Sequence, residues 1–230
     1  DGNLNNGDGC DRICSPESYE ILGGSYINEG AFSQGGRDTY RFSVDGVSQL
    51  NVTTSDMMGA GCPLGADTVM ALFPLNEFGN RDERLAENND IGEANICSGL
   101  SIADLPAGEY ELLIYGLGNI AIDSYWLNFE LYRDISEGGD FTGSIPANGD
   151  DLYEFTLVSE RSVILETNPP ANVETVDTIM TLLDSEGNEV ERSDDRGGEI
   201  VCRVCSFIDR VLQPGTYRLM VEAFGVIPEY

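Results

Sequence analysis

The chain contains no lysine and no histidine, and its whole basic complement is 12 arginines set against 41 aspartates and glutamates. Without histidine, serine, cysteine and threonine nucleophiles lack their usual base, so triad hydrolysis is excluded within this chain. A formal net charge of −29 excludes ordinary nucleic-acid binding, which needs a basic footprint to neutralise phosphates, and it opposes an anionic membrane surface. No apolar run approaches the length that spans a bilayer, and no stretch carries a sustained apolar stripe at helical period. Such a field does attract divalent cations, and it keeps the protein soluble at high ionic strength, where self-repulsion is screened. The start reads Asp1-Gly2-Asn3, without Met and without a recognisable signal peptide, so a processed or excised piece is expected.

What the sequence does contain is a duplication about 110 residues apart. Asp38-Thr39-Tyr40-Arg41-Phe42-Ser43-Val44 returns as Asp151-Leu152-Tyr153-Glu154-Phe155-Thr156-Leu157. Asp67-Thr68-Val69-Met70-Ala71-Leu72-Phe73 returns as Asp177-Thr178-Ile179-Met180-Thr181-Leu182-Leu183, and Leu105-Pro106-Ala107-Gly108-Glu109-Tyr110 as Leu212-Gln213-Pro214-Gly215-Thr216-Tyr217. A unit of roughly 100 residues can bury its own core, so two domains in tandem are expected. Tyr40, Phe42 and Val44 recur at every second position, as do Tyr153, Phe155 and Leu157, which puts them on one face of a strand. Gly, Pro, Asn and Asp punctuate these runs at intervals of about ten residues, the rhythm of all-β sandwiches. Ser185-Glu186-Gly187-Asn188 supplies a hairpin turn, with residues 76–80 as its counterpart.

Six cysteines allow 15 connectivities. Locality favours Cys10–Cys14, Cys62–Cys97 and Cys202–Cys205. In the repeat Cys97 aligns near Cys202 and Cys62 near Asn172, leaving Cys202 to find Cys205. Cys202-x-x-Cys205 can be half a zinc site or a redox pair. The first lacks histidine and a second cysteine pair, the second lacks a βαβ context, and a structural disulfide is the reading adopted. Disulfides place the chain in an oxidising compartment outside the cytoplasm.

Acidic residues form two kinds of candidate site. In the N-terminal segment, Asp1, Asn3 and Asn5 alternate side-chain oxygens before a glycine-enabled bend and Asp8, a pattern that can converge the oxygen ligands of calcium; an Asn/Gly-rich turn stapled by Cys10 and Cys14 is the alternative. Hairpin geometry brings Asp67 with Asp90, and Asp177 with Asp195, to one end of a sheet. Opposed carboxylates there need hydrogen bonds, protonation or a bridging cation. They read as Asp-Thr side chains capping loop N–H groups, as weaker calcium sites, or least of all as a glycosidase pair, which needs a sugar-sized cleft and one raised acid. Tyr125-Trp126-Leu127-Asn128-Phe129-Glu130-Leu131 reads as sandwich core more than as a sugar-stacking platform.

Two resemblances enter on these residues. Asp1-Gly2-Asn3 followed by Asp8-Gly9-Cys10 and Cys14 resembles the end of a Myxococcus-type cysteine-rich repeat, an extracellular module often found in arrays. The duplicated unit is similar to the bacterial pre-peptidase C-terminal domain. It carries Asp-x-Tyr-x-Phe, then Asp-Thr, then Asn89-Asp90 or Asp194-Asp195, then Pro-x-Gly-x-Tyr. That resemblance implies a jelly-roll-like β-sandwich appended to secreted enzymes and surface proteins, sometimes calcium-stiffened or substrate-binding, with no catalysis of its own.

The expectation is therefore all-β: two tandem jelly-roll-like antiparallel β-sandwiches with a short disulfide-stapled N-terminal loop segment. Residues 1–17 form a partial cysteine-rich, calcium-binding segment, 18–134 the first sandwich and 135–230 the second, joined near residues 133–139. The second lacks a full counterpart of Trp126 to Leu131, because Pro228 interrupts its last strand. A non-catalytic extracellular accessory or adhesion module, calcium-stabilised, is the expected function, with a protein or polysaccharide ligand. The alternative is a structural subunit of a fibre or surface assembly, completed by strand pairing with neighbouring copies.

Overall fold

A computed structural model of the chain describes residues 18–59, 61–92, 95–145, 149–169, 176–196, 202 and 204–224. The expected calcium loop with Cys10 and Cys14, and the expected short strand around Pro228, lie outside the described residues. Among those described, every regular element is a strand apart from one 3-10 turn at Leu117–Asn119, so the chain is all-β. Two compact units divide it, 18–21 with 26–130 and 22–25 with 131–224.

The first unit is a sandwich built from β1 (Ser18–Glu20), β2 (Ser25–Phe32), β3 (Arg37–Val44), β4 (Ser48–Ser55), β5 (Thr68–Pro74), β6 (Ala86–Asn88), β7 (Gly99–Leu105), β8 (Gly108–Gly116) and β9 (Ile122–Asp134). One sheet runs in the order β1-β3-β8-β5-β6; in the other, β9 lies between β2 and β4, and β4 continues to β7. The period-2 alternation in β3 does what it implies, burying Tyr40, Phe42 and Val44. From the facing sheet β9 buries Tyr125, Leu127 and Phe129 and leaves Trp126 and Asn128 half-exposed. Phe42 meets Phe129 edge-on at 4.9 Å between ring centroids, so the two sheets touch at an aromatic contact. Full burial of each such side chain is worth about 1.5–3 kcal/mol.

In the second unit, residues 132–134 at the end of β9 pair in parallel with β10 (Asp150–Leu157). β11 (Arg161–Glu166), β12 (Thr178–Leu183), β13 (Glu189–Ser193), β14 (Phe207–Leu212) and β15 (Gly215–Ala223) follow. β10, β15, β12 and β13 are neighbours in that order, while β11 pairs with β14. The registers repeat those of the first unit. Phe42 stands opposite Tyr110 and Phe155 opposite Tyr217; Met70 stands opposite Ile114 and Met180 opposite Val221. Even the parallel entry strand recurs, with Ile21 N donating to Arg41 O at 2.8 Å and Ile135 N to Glu154 O at 2.9 Å. The change of unit falls inside β9, between Glu130 and Leu131, upstream of the Gly138-Gly139 pair.

Each Pro-Gly-Tyr motif has a physical task. The Tyr110 hydroxyl donates to the Pro106 carbonyl at 2.8 Å and the Tyr217 hydroxyl to the Gln213 carbonyl at 3.0 Å, tying the strand to the turn that precedes it. The rings stack on Phe42 and Phe155 at 5.6 and 5.5 Å. One cross-strand pair is conserved in place and inverted in sign: Arg41 faces Glu111 at 3.0 Å in the first unit, and Glu154 faces Arg218 at 3.1 Å in the second. Such a pair is worth about 0.2–1 kcal/mol in either polarity.

The first unit contains a buried phenol chain. Tyr125 donates to Asp38 Oδ2 at 2.5 Å and its hydroxyl lies 3.0 Å from that of Tyr40. Burial holds both phenols above their ordinary 10.0; Tyr40 and Asp38 push Tyr125 further, and Asp38 pushes Tyr40. Gly30 in β2 makes room for it, since a Cβ there would overlap the Tyr125 phenol. Gly30→Ala should therefore destabilise by about 1–3 kcal/mol, the usual range for overpacking. Calorimetry should show this as a fall in one unfolding transition, with the other unmoved.

Candidate functional site

The loop end that carries the duplicated Asp-Thr motif is organised by three buried hydroxyls. Thr54 in β4, Thr68 at the start of β5 and Ser98 just before β7 are all fully buried. Thr68 Oγ1 lies 2.7 Å from Thr54 Oγ1 and 3.0 Å from Ser98 Oγ, and the Ser98 N–H donates to both threonines at 3.1 Å. In the second unit Thr167, Thr178 and Ser206 repeat the arrangement, at 2.6 Å and 3.1 Å between hydroxyls, with the Ser206 N–H donating to Thr167 at 3.0 Å. Neighbouring polar groups satisfy one another here, as burial demands. The capping expected of the Asp-Thr pair is thus done by the threonine.

The disulfides sit on these hydroxyls. Cys62 is bonded to Cys97 and Cys202 to Cys205, and Cys97 and Cys205 each immediately precede a triad serine. Cys97 therefore corresponds to Cys205, and the expected alignment of Cys97 with Cys202 is corrected. The sequence between the acidic pair and this cysteine is three residues longer in the second unit, which shifts the apparent match. Their partners reach one place by different routes. Cys62 Sγ lies against the Ala66 carbonyl and Cys202 Sγ against the Val176 carbonyl, each just before the motif aspartate.

That aspartate is the chemically distinctive group. Asp67 Oδ1 and Asn89 Oδ1 are buried oxygens with no hydrogen-bond partner among the described residues. Desolvation, then the charge of Asp90, raises the Asp67 carboxyl above its ordinary 3.8. In the second unit desolvation, then Asp194, then Asp195 raises Asp177 in the same way. Each corner thus sets acidic side chains within electrostatic reach of one another: Asp67 with Asp90 in one, Asp177 with Asp194 and Asp195 in the other. Asn89 and Asp194 were not candidates in the sequence, although they occupy matching positions before Asp90 and Asp195. Among the described residues no group of three or more His, Cys, Asp or Glu converges as a metal site. Asp1, Asn3, Asn5 and Asp8 lie outside the described residues.

Neighbouring side chains shape the corner further. Gly99 N–H donates to Asn88 Oδ1 at 3.0 Å and Phe207 N–H to Ser193 Oγ at 2.9 Å, equivalent ties from the strand end to the acidic loop. At the far end of β5, Asn76 Oδ1 accepts from the Phe78 and Asn80 N–H groups; Asp184 Oδ1 accepts from Glu186 and Asn188 in the second unit. Those turns are structural.

No protein-family model and no curated protein matches the chain. Among solved structures it is similar to the pre-peptidase C-terminal domain of collagenase from Bacillus anthracis, at 16% identity over 50% of this chain and 94% of that one, with a TM-score of 0.33. It is similar also to the Aeromonas hydrophila periplasmic inhibitor of g-type lysozyme, at 10% identity over 50% and 95% of the two chains, TM-score 0.37. The CUB1-EGF-CUB2 domains of rat MASP-1 match at 8% identity over 93% and 97%, TM-score 0.30.

Thr68→Val and Thr178→Val keep side-chain shape but remove the hydroxyl that links the other two, leaving buried Thr54 and Ser98, or Thr167 and Ser206, each short of a partner, so each should cost about 1–3 kcal/mol. Denaturant titration should place each loss in a different unfolding transition. The raised carboxyls give a pH signature. A folded pKa above the unfolded value means the native state holds the proton more tightly, so the stability these two carboxyls contribute is fully present below 3.8 and is lost as pH rises through the folded value. In metal-free buffer Asp67→Asn and Asp177→Asn should each remove part of that loss, read as a flatter profile of melting temperature against pH from 3 to 7.

Proposed function

We propose that the chain is a non-catalytic extracellular accessory or adhesion module of a secreted or surface bacterial protein, stabilised by calcium at its acidic corners. The observation that carries this reading is a pair of buried oxygens, Asp67 Oδ1 and Asn89 Oδ1, that have no hydrogen-bond partner among the described residues and lie in the corner with Asp90. Buried acceptors with neither proton nor cation are costly, and an all-oxygen donor set suits hard calcium over zinc. Asp67, Asn89 and Asp90 would hold the ion in the first unit and Asp177, Asp194 and Asp195 in the second, with backbone oxygens or water completing the six to eight ligands calcium takes. The chemistry calcium supplies there is charge neutralisation, which removes the repulsion that raises Asp67 and Asp177. Asp1, Asn3, Asn5 and Asp8 are proposed as a further site.

An accessory role accords with the other features. The two disulfides suit an oxidising, extracellular compartment. The triad hydroxyls are committed to one another, and the chain has no histidine to activate them. A protein or polysaccharide ligand is the partner class proposed, with nucleic acid opposed by charge.

Calcium at about 100 times its dissociation constant should stabilise a unit by about 2.7 kcal/mol, and chelator should reverse it. Calorimetry of wild type, Asp67→Asn, Asp177→Asn and Asp8→Ala should resolve the three sites, each substitution abolishing its own share of uptake. Unchanged melting and no heat of calcium binding in the wild type would remove the calcium reading.

The fibre alternative is favoured by one observation. β4 has both β7 and β9 as neighbours, whereas among the described residues β11 pairs with β14 alone. A peptide with the sequence of residues 125–131 should then raise the unfolding temperature of the second unit selectively. If it does not, and sedimentation gives a monomer at high concentration, pairing between copies is eliminated.

A further inference from the structure

The loops around the first acidic corner expose large apolar side chains that the fold does not use. Met57, Met58 and Leu64 are 81%, 89% and 107% exposed, and Ile91 and Ile96 are 48% and 39% exposed. Covalent and backbone ties bring these residues to one loop cluster. Cys62, two residues before Leu64, is bonded to Cys97, next to Ile96. Ile91 N–H donates to the Cys97 carbonyl at 2.8 Å. The methionine loop closes on the same disulfide: Asp56 N–H donates to the Gly61 carbonyl at 2.7 Å, beside Cys62. Asp56 Oδ1 accepts from the Met58 N–H at 2.9 Å, which sets the methionines on a formed turn.

This arrangement is unlike a scatter of single surface apolars, which needs no explanation. Met70, the first unit's core methionine, is fully buried, so exposure is a property of this loop and not of the residue type. The disulfide and the turn fix the backbone in advance, which lowers the ordering cost of binding, while unbranched methionines adapt to varied apolar surfaces.

Charge decides the occupant. No basic residue occurs between Arg41 and Arg81 in the sequence, whereas Asp67 lies within that span and the charge of Asp90 reaches the Asp67 carboxyl. Arg81 is committed to Glu111 and Arg84 to Glu87. The cluster is thus apolar at its tips and anionic behind them, on a chain of net charge −29. An anionic lipid surface is repelled, while a cationic polypeptide is steered in.

We infer that the loop cluster formed by Met57, Met58, Leu64, Ile91 and Ile96 is a docking surface for a basic protein segment that presents Lys or Arg beside aliphatic or aromatic side chains. The inference rests on the accessory-module reading and names its partner class. Apolar side chains of the partner pack between the methionines and Leu64, and its cations face the acidic corner at Asp67 and Asp90. Calcium at the corner would lower the anionic field and weaken the ionic part of the binding, leaving the apolar part.

The test uses the whole chain and two fluorescein-labelled synthetic peptides, one alternating Lys with Leu and one alternating Lys with Ser. Fluorescence anisotropy should give a Lys-Leu affinity at least about tenfold tighter than Lys-Ser, the scale of one well-packed apolar contact. In Met57→Ser/Met58→Ser/Leu64→Ser that advantage should vanish, with calorimetry confirming an unchanged fold. Ile27→Ser/Val47→Ser, which removes exposed apolar groups elsewhere, should retain it. Mild peroxide, with oxidation of Met57 and Met58 verified by mass spectrometry, should reproduce the loss without any substitution. Equal binding of both peptides, or an advantage that survives both perturbations, overturns the docking surface. Binding of phosphatidylcholine vesicles in calcium, lost in the triple variant, with no preference for Lys-Leu, overturns it in favour of a membrane. If peptide selectivity fails while calcium still raises the melting temperature, only the docking surface falls and the calcium-stabilised module stands.

Discussion

The buried contact among Thr54, Thr68 and Ser98, repeated as Thr167, Thr178 and Ser206, is the constraint on which both units depend. It joins three strand ends through side-chain hydroxyls and one serine N–H, so its geometry is satisfied only when those ends arrive together. Leaving one member unpaired in the interior is costly, because a buried donor or acceptor without a partner forfeits its full hydration. Everything distinctive about the loop end follows. The aspartate before each threonine is carried to the rim, and the cysteine before each serine is placed for its bond.

The two disulfides show that the constraint is one of place. Cys62 approaches from the segment before β5, Cys202 from the segment before β14, yet both sulfurs lie against the carbonyl of the residue preceding the motif aspartate. A bridge there restrains the loop that supports the acidic corner, whichever segment supplies the partner. Bridging 35 residues in one unit and 3 in the other, the two bonds restrict the unfolded chain very differently, with the longer loop losing more entropy in the chain-entropy view.

Carboxylate repulsion at the rim is the counterweight to this order. Asp67 and Asp177 are raised by desolvation and by neighbouring aspartates, so the fold holds charges where they are disfavoured. A chain with 41 acidic and 12 basic residues has few internal cations with which to relieve them. Its arginines are drawn instead into cross-strand pairs such as Arg41 with Glu111 and Arg218 with Glu154. An external cation, whether the metal ion or the basic partner proposed above, would relieve that repulsion and so link the corner to the apolar loop beside it.

The sequence by itself determined the all-β class and the chemistry of the repeated turns, because period-2 alternation in Tyr40-x-Phe42-x-Val44 and its copy is a local property that burial simply realises. The Pro-x-Gly-x-Tyr motif was legible for the same reason: its hydroxyl reaches back four residues. Other features were decided by contacts between residues far apart in the chain. Asn89 figured in the sequence only as half of the Asn89-Asp90 motif, and its burial away from any donor among the described residues is a product of packing; Thr68, read there with Asp67 as a cap for loop N–H groups, meets Thr54 and Ser98 as well. The equivalence of Cys97 with Cys205 was hidden by a loop of different length, which shifts a linear match but leaves the hydroxyl contact in place. Strand periodicity could not reveal that β9 changes unit between Glu130 and Leu131: apolar residues recur at every second position from Tyr125 to Leu131 in the sequence, yet burial on Tyr125, Leu127 and Phe129 passes to Tyr132 once the unit changes. Local patterns set which residues alternate and turn; only tertiary packing set which of the described oxygens are buried away from a hydrogen-bond donor and which methionines are left in water.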